Sequence, residues 1–192
     1  MVDTYRTVLF VHFLALFVGF GAAAVLGLSL FRLRAAQTGA DAMPWGSLAA
    51  NVEKAFPVAI LGLFLTGAYM TSDLWTWGTG WIDVAIVSLV VIAAQGVLVG
   101  GRRTKELERA LDANGPGPLA ERARTMTCDR ATWIVSFTNP GIVLGVVWVM
   151  TQKPGTVEAI AAVVVGYVVG ALAALQFTKV TAAEVEPAAA SG

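Results

Sequence analysis

The residue best suited to chemistry in this chain is its single histidine, His12, which lies within a long uncharged stretch, 7–31. If this stretch is a helix, a rise of 1.5 Å per residue puts His12 about 8 Å inside one end. Offsets of three and seven residues place it on the same helix face as Ala15 and Gly19. That face carries small residues, so we expect the imidazole to point towards other helices. A neutral imidazole is a good ligand for haem iron, copper or zinc.

Two methionines are predicted to lie at a similar depth to His12. Met70 is close to the end of a second uncharged stretch, and Met150 is close to the end of a fourth. Thioether sulfur together with imidazole can bind haem iron or Cu(I). The tryptophans that are candidates to cover such a site are Trp75, Trp77 and Trp81. The alternative is ordinary packing, with His12 hydrogen-bonded to a backbone carbonyl and the methionines filling gaps between helices.

A second group of polar residues falls in the middle of the fourth stretch. Asn139 and Pro140 are adjacent there, and Gln95 of the third stretch is predicted at a similar depth. Proline removes a backbone hydrogen bond and bends a helix, and polar side chains can hydrogen-bond between membrane helices. We therefore expect a bent helix and an Asn139–Gln95 hydrogen bond. The alternative is a polar permeation or substrate site at a broken helix.

Several function classes find no support in the sequence. The uncharged stretches contain no Asp, Glu, Lys or Arg, whereas proton pumps and ion-coupled carriers usually need such groups inside the membrane. The connecting segments contain no nucleotide-binding loop or protease motif, so we assign no catalytic residues. Cys128 is the only cysteine and cannot form an internal disulfide.

The elements that carry these residues are five stretches without charged side chains, each at least 18 residues long. About 20 apolar residues in a helix cross the ~30 Å of hydrocarbon in a bilayer. The stretches are residues 7–31, 55–72, 84–101, 131–152 and 159–178. We therefore predict an all-α membrane protein with five transmembrane helices in one polytopic domain, 1–182. The segment 102–130 is predicted to be a basic cytoplasmic loop that contains a helix at 102–113, a break at 114–118 and a second short helix before the fourth span. The segment 183–192 is predicted to be a flexible tail.

The basic residues predict an orientation for these helices. Of the 13 Lys and Arg residues, all but Arg6 and Lys153 fall on one side if the chain crosses five times. Lys and Arg are enriched in cytoplasmic loops, so the N-terminus is predicted outside and the C-terminus in the cytoplasm. The six tryptophans all fall near the ends of the stretches, as an interfacial aromatic belt requires.

Small residues recur at intervals of four in several of the stretches. Residues four apart share a helix face, and small side chains there let helix backbones approach closely. The predicted packing positions are Gly19, Ala23, Gly27, Gly96, Gly100, Gly141, Gly145, Gly166 and Gly170. We expect a compact bundle, with homo-oligomerisation as an alternative use of some of these faces.

The first stretch resembles the opening helix of two kinds of bacterial membrane protein. His12 is followed by Gly19, Gly21 and a basic end at Arg32 and Arg34. This pattern is similar to that of CopD-type copper-resistance membrane domains and HemJ-type protoporphyrinogen oxidases. The sequences LTGAYM at 65–70 and VMTQKPG at 149–155 look like helix ends of an uncharacterised bacterial membrane family related to them.

The resemblance covers about the first four helices and implies a small bundle that holds haem b or copper. HemJ-type proteins carry an axial histidine in the first helix, which matches His12. They also carry a lysine in a later helix and a tryptophan in the first, and this chain has neither at the matching places. The resemblance therefore implies the haem or copper site and not the oxidase activity.

Three functions are consistent with these observations. The first is a haem- or copper-associated protein of the bacterial cytoplasmic membrane with a redox or metal-handling role. The second is a non-enzymatic accessory or assembly subunit that docks on a larger membrane complex. The third is a small permease that uses the Asn139–Pro140 segment. The expected partners are the lipid bilayer and either a second copy or a larger complex, with no nucleic acid.

Overall fold

A computed structural model describes residues 3–177, and these residues form eight α-helices and one π-helical turn, with no β-strand among them. The elements are α1 (Thr4–Ala35), α2 (Gly39–Glu53), α3 (Ala55–Leu74), α4 (Gly80–Gln95), the π-helical turn (Gly96–Gly100), α5 (Gly101–Asn114), α6 (Glu121–Thr127), α7 (Arg130–Gln152) and α8 (Thr156–Phe177).

Five helical runs in this part of the chain are long and apolar enough to cross a membrane. They are Thr4–Ala35, Gly39–Leu74, Gly80–Asn114, Glu121–Gln152 and Thr156–Phe177. The prediction of an all-helical fold with five helices long and apolar enough to span a membrane is thereby confirmed. The predicted tail and the last residue of the fifth predicted span, position 178, lie outside the described residues.

Most of the buried core lies at one end of the helices, which we call the arginine end after Arg32 and Arg34 in the last turn of α1. The short helices α2, α5 and α6 pack there against α1 and α7. Leu107 and Leu111 are one turn apart on α5, and both are buried in this core. The core residues are Leu30, Leu33, Ala36, Ala42, Leu107, Ala110, Leu111, Ala123 and Trp133. The predicted basic loop is thus largely helical, and its apolar face holds the arginine end together.

Helices α7 and α8 pack backbone against backbone through glycines. A Cβ atom added at Gly145 would lie 2.8 Å from Ala162 O and 2.9 Å from Val163 Cα. A Cβ atom added at Gly170 would lie 2.9 Å from Thr138 Cα. Such separations leave no room for a side chain. Close backbone packing of this kind holds helices together in lipid, where there is no hydrophobic drive between them.

The small residues of the other helices have different surroundings. A Cβ atom at Gly62 of α3 would lie 3.1 Å from Ala15 Cβ of α1, and one at Gly19 would lie 3.6 Å from Ala59 Cβ. Helices α1 and α3 therefore approach each other closely along this face. A Cβ atom at Gly27 or Gly96 would meet no atom within 4 Å. These two glycines are therefore not needed for a close helix contact among residues 3–177.

The polar contact in the middle of the helices involves Thr138 and not Asn139. Thr138 Oγ1 donates its proton to Ile134 O one turn earlier on α7 (2.9 Å), and the same oxygen lies 3.3 Å from Gln95 Oε1. Asn139 Oδ1 is buried and has no hydrogen-bond partner among the described residues. Helix α7 continues through Pro140 without interruption. Gln95 therefore meets α7 at Thr138 and not at the adjacent Asn139, and the expected Asn139–Gln95 hydrogen bond is not formed.

We predict that Gly145→Ala lowers the free energy of unfolding by about 1–3 kcal/mol, because the new methyl group overpacks the contact with α8. The matched control is Gly21→Ala on α1, where a Cβ atom would meet nothing within 4 Å. The control should unfold like the wild type or be slightly more stable. Denaturant titration in detergent micelles, followed by circular dichroism, measures both. Equal destabilisation by the two variants would contradict the proposed close packing.

Candidate functional site

A cavity of about 370 Å³ opens at the opposite end of the helices, which we call the tryptophan end after Trp75, Trp77 and Trp81. Helices α1, α3, α4 and α7 form its walls. This volume falls within the range of roughly 300–1,000 Å³ that is typical of small-molecule sites. The cavity is lined by all the predicted ligand and cover residues, namely His12, Met70, Met150, Trp75, Trp77 and Trp81. The chain therefore brings these side chains, which come from α1, α3, α4, α7 and the connection between α3 and α4, to one cavity.

His12 is buried in the wall between α1 and α3, with 7% of its surface exposed. Its Nδ1 atom lies 2.8 Å from Thr66 Oγ1 on α3. Thr66 Oγ1 in turn lies 2.6 Å from Gly62 O, one turn earlier on the same helix. A threonine hydroxyl has one proton to donate, and the short distance to the carbonyl oxygen requires that proton to lie between the two oxygens. Thr66 therefore accepts a hydrogen bond from His12 Nδ1–H.

This hydrogen bond determines the tautomer of the imidazole. With the proton on Nδ1, the neutral ring has a lone pair on Nε2. Nε2 is then the nitrogen that remains to bind a metal ion or to accept a hydrogen bond. Histidines that bind metals in proteins commonly donate their other ring N–H to an oxygen in this way, which fixes the tautomer and the ring orientation.

The close approach of α1 and α3 brings His12 to Thr66. Ala15, one turn after His12, meets α3 at Gly62, one turn before Thr66, where a side chain on Gly62 would be tight at 3.1 Å. Threonine within a helix readily donates to the carbonyl four residues back, which fixes the Thr66 hydroxyl. Gly67 adjoins the ring, since a Cβ atom there would lie 3.7 Å from His12 Cε1. A small-residue contact and one hydroxyl therefore position the imidazole.

The tryptophans form the cover of the cavity. Trp75 and Trp81 pack edge to face, with ring centroids 5.2 Å apart. Lys153, which follows α7, has its Nζ atom 4.7 Å from the centre of the Trp75 ring. Trp77 is the most exposed of the three, at 57%. The cover therefore consists of two mutually packed rings, one basic side chain and a third ring that faces outwards.

The donor atoms in the cavity limit which metals could bind there. Residues 3–177 contain no group of three or more His, Cys, Asp and Glu side chains that could hold a metal ion. The available donors are one imidazole and the thioethers of Met70 and Met150, which suit haem iron or Cu(I). Gln95, Asn139 and Pro140 do not line this cavity. The polar contact in the middle of the helices is therefore separate from the candidate site.

Two residues of the site were not identified from the sequence as part of it. Thr66 is not among the residues that the sequence pattern singles out, and Lys153 enters the sequence analysis only as a basic residue on the outer side. The signal for Thr66 is its spacing of four from Gly62, which permits the backbone hydrogen bond. The signal for Lys153 is its position at the end of a helix just before Pro154 and Gly155.

Comparison with known proteins found no match to this chain among protein families, curated proteins or solved structures. The function is therefore inferred from the residues of the cavity.

We predict that Thr66→Val changes the tautomer of His12 and lowers the free energy of unfolding by about 1–3 kcal/mol, because the buried Nδ1–H loses its acceptor. Since the chain has a single histidine, ¹⁵N-histidine labelling gives the NMR signals of one imidazole. The wild type should show a proton on Nδ1 and none on Nε2.

Thr66→Ser is the matched control, because serine keeps the hydroxyl and should keep the wild-type spectrum. A wild-type ring with its proton on Nε2 would overturn the assignment.

Proposed function

We propose that this chain is a cofactor-binding protein of the bacterial cytoplasmic membrane, with haem b held in the cavity and His12 Nε2 as the iron ligand. The observation that carries this proposal is the hydrogen bond from His12 Nδ1 to Thr66 (2.8 Å), which leaves Nε2 as the free nitrogen. His12 is also one of the residues that line the cavity, which is where a ligand for this nitrogen would bind.

The other residues of the cavity fit a flat, mainly apolar cofactor. Apart from His12, the walls that α1, α3, α4 and α7 contribute are almost entirely aliphatic, aromatic or thioether side chains. Met70 and Met150 are candidates for a second axial ligand. The rings of Trp75 and Trp81 would shield the site from water. When bound, haem would supply one-electron redox chemistry; the protein would bind the macrocycle, orient the ligand histidine and exclude water.

Copper is the second candidate, and the pair of methionines favours it. One imidazole and two thioethers are the kind of soft donor set that suits Cu(I). The volume of about 370 Å³ favours an organic ligand over a lone ion, which needs only a small fraction of this space. The role would then be metal handling instead of electron transfer.

The orientation that we propose for the protein places its N-terminus outside the cytoplasm and its C-terminus inside. The arginine end collects Arg32, Arg34 and the basic helix α5, as expected for a cytoplasmic face. The cavity would then open on the outer side, at the level of the lipid headgroups where tryptophan is enriched. In the bilayer we expect the five helices to form one compact bundle.

The remaining two hypotheses have less support. A permease at the Asn139–Pro140 segment would need an opening there, whereas α7 runs through Pro140 as a continuous helix. An accessory subunit would present its small-residue faces to a partner, and Gly27 and Gly96 are free of helix contacts within the described residues. That freedom permits docking, but nothing at these positions favours a partner over lipid.

The test is an absorption spectrum and an elemental analysis of the protein purified in mild detergent, before and after incubation with haem or with Cu(I). We expect a Soret band and about one iron per chain. His12→Ala should lower haem affinity at least about tenfold, the effect of losing one good interaction of roughly 1.4 kcal/mol. Copper at one per chain without a Soret band would favour the second candidate.

The matched control is Thr138→Val, which removes a buried hydroxyl that does not line the cavity and should leave the spectrum unchanged. Met70→Leu and Met150→Leu distinguish which thioether, if either, contributes to the site. A protein that remains colourless and metal-free, and that takes up neither added haem nor added Cu(I), would contradict the proposal.

A further inference from the structure

Lys153 is the only charged side chain among the residues that line the cavity. It lies directly after α7 and is exposed at the mouth of the cavity, beside the cover tryptophans. Its ammonium group is 4.7 Å from the centre of the Trp75 ring. The π face of the ring attracts a cation in this position, which favours conformations that keep the ammonium group beside Trp75 at the mouth of the cavity.

The backbone at Lys153 is unusual for a lysine. Its φ of 50° and ψ of 51° are left-handed, and it is the only residue other than glycine with a positive φ in the described part of the chain. Glycine is the usual residue where a helix ends in this conformation, because a Cβ atom makes the conformation costly. A lysine at this position therefore keeps its side chain at the expense of local backbone strain. Strain of this kind is found preferentially at functional sites.

The ammonium group of Lys153 forms no salt bridge within residues 3–177. The interaction recorded for this group is its contact with the ring of Trp75. Helix α8 begins close by, with Glu158 in its first turn, but this carboxylate is not in ion-pair contact with Lys153. An unpaired cation at the mouth of an apolar cavity is a ready binding site for an anion.

We infer that the cavity selects an apolar molecule that carries an acidic group, with Lys153 as the residue that binds this group. The inference rests on the proposed use of the cavity as a binding site, but it does not depend on a metal. The body of the ligand would occupy the apolar walls near His12, and its acid would meet Lys153 beside Trp75. Carboxylates of a porphyrin and of a lipid share this chemistry.

The competing explanation is that Lys153 only anchors the hairpin that carries Trp75. The two explanations differ in what Lys153→Gly does. Glycine relieves the left-handed backbone, so the variant should fold and have an unchanged or higher melting temperature. If the only role of Lys153 were to anchor the hairpin through Trp75, the variant would lose stability and would not change the choice of ligand.

The experiment compares each acid with its ester on the full-length protein in detergent micelles. One pair is haem and haem dimethyl ester, and the other is palmitate and methyl palmitate. The wild type should bind at least one acid roughly tenfold or more tightly than its ester, as expected for a hydrogen bond to a charged group. Lys153→Gly should abolish this preference, and Lys153→Arg should retain it.

Arg6→Gln is the matched control, since Arg6 is the other basic residue predicted on the outer side and does not line the cavity. This variant should keep the preference for the acid. The inference is overturned if neither acid is preferred, if neither pair binds, or if Lys153→Gly keeps the preference. Equal binding of haem and its ester with a Soret band that requires His12 would leave the proposed function intact and remove this inference. A preference for palmitate over its ester, without binding of haem or copper, would support this inference and contradict the proposed function.

Discussion

The chemistry available to the cavity depends on one hydroxyl proton. Thr66 donates it to the carbonyl of its own helix, and the Thr66 oxygen can then only accept from His12. The imidazole thereby receives both an orientation and a tautomer. Removing the hydroxyl would leave His12 in the same wall but without a defined free nitrogen. The small-residue contact between Ala15 and Gly62 is needed as well, because it sets the distance between the two helices that the hydrogen bond spans.

The two ends of the molecule are packed in different ways. At the arginine end, three short helices fill the space between α1 and α7 and bury a continuous core. At the tryptophan end no such helices are present among the described residues, and the space between the long helices is left as the cavity. The walls of this cavity of about 370 Å³ are almost entirely apolar, and an apolar molecule that enters it gains packing contacts with the side chains of four helices.

The sequence was sufficient to predict the features that depend on long runs of residues. Five uncharged stretches predict five candidate spans, because the cost of charge in hydrocarbon acts on each stretch as a whole. The face of α1 that carries His12 follows from helical periodicity. The rotation of one helix against another is not encoded in this way. Gln95 meets Thr138 and not the adjacent Asn139, and a turn of about 100° per residue, from 3.6 residues per turn, separates the two side chains.

The site itself was only partly predictable for a related reason. The depth of His12, Met70 and Met150 could be counted from the ends of the stretches. The partner of His12 could not, because Thr66 is 54 residues away and a threonine has several uses in a helix. The left-handed backbone of Lys153 could not be predicted from the sequence either, because glycine is the residue usually found where a helix ends in this conformation.

The glycine contact between α7 and α8 also determines which helices can change the shape of the binding site. Helix α8 touches α7 along its backbone yet contributes no residue to the cavity lining. The backbone contact leaves no space for a hydrocarbon tail between α7 and α8. If the site adapts to ligands of different sizes, we therefore expect α1, α3 and α4 to move and α7 to stay packed against α8.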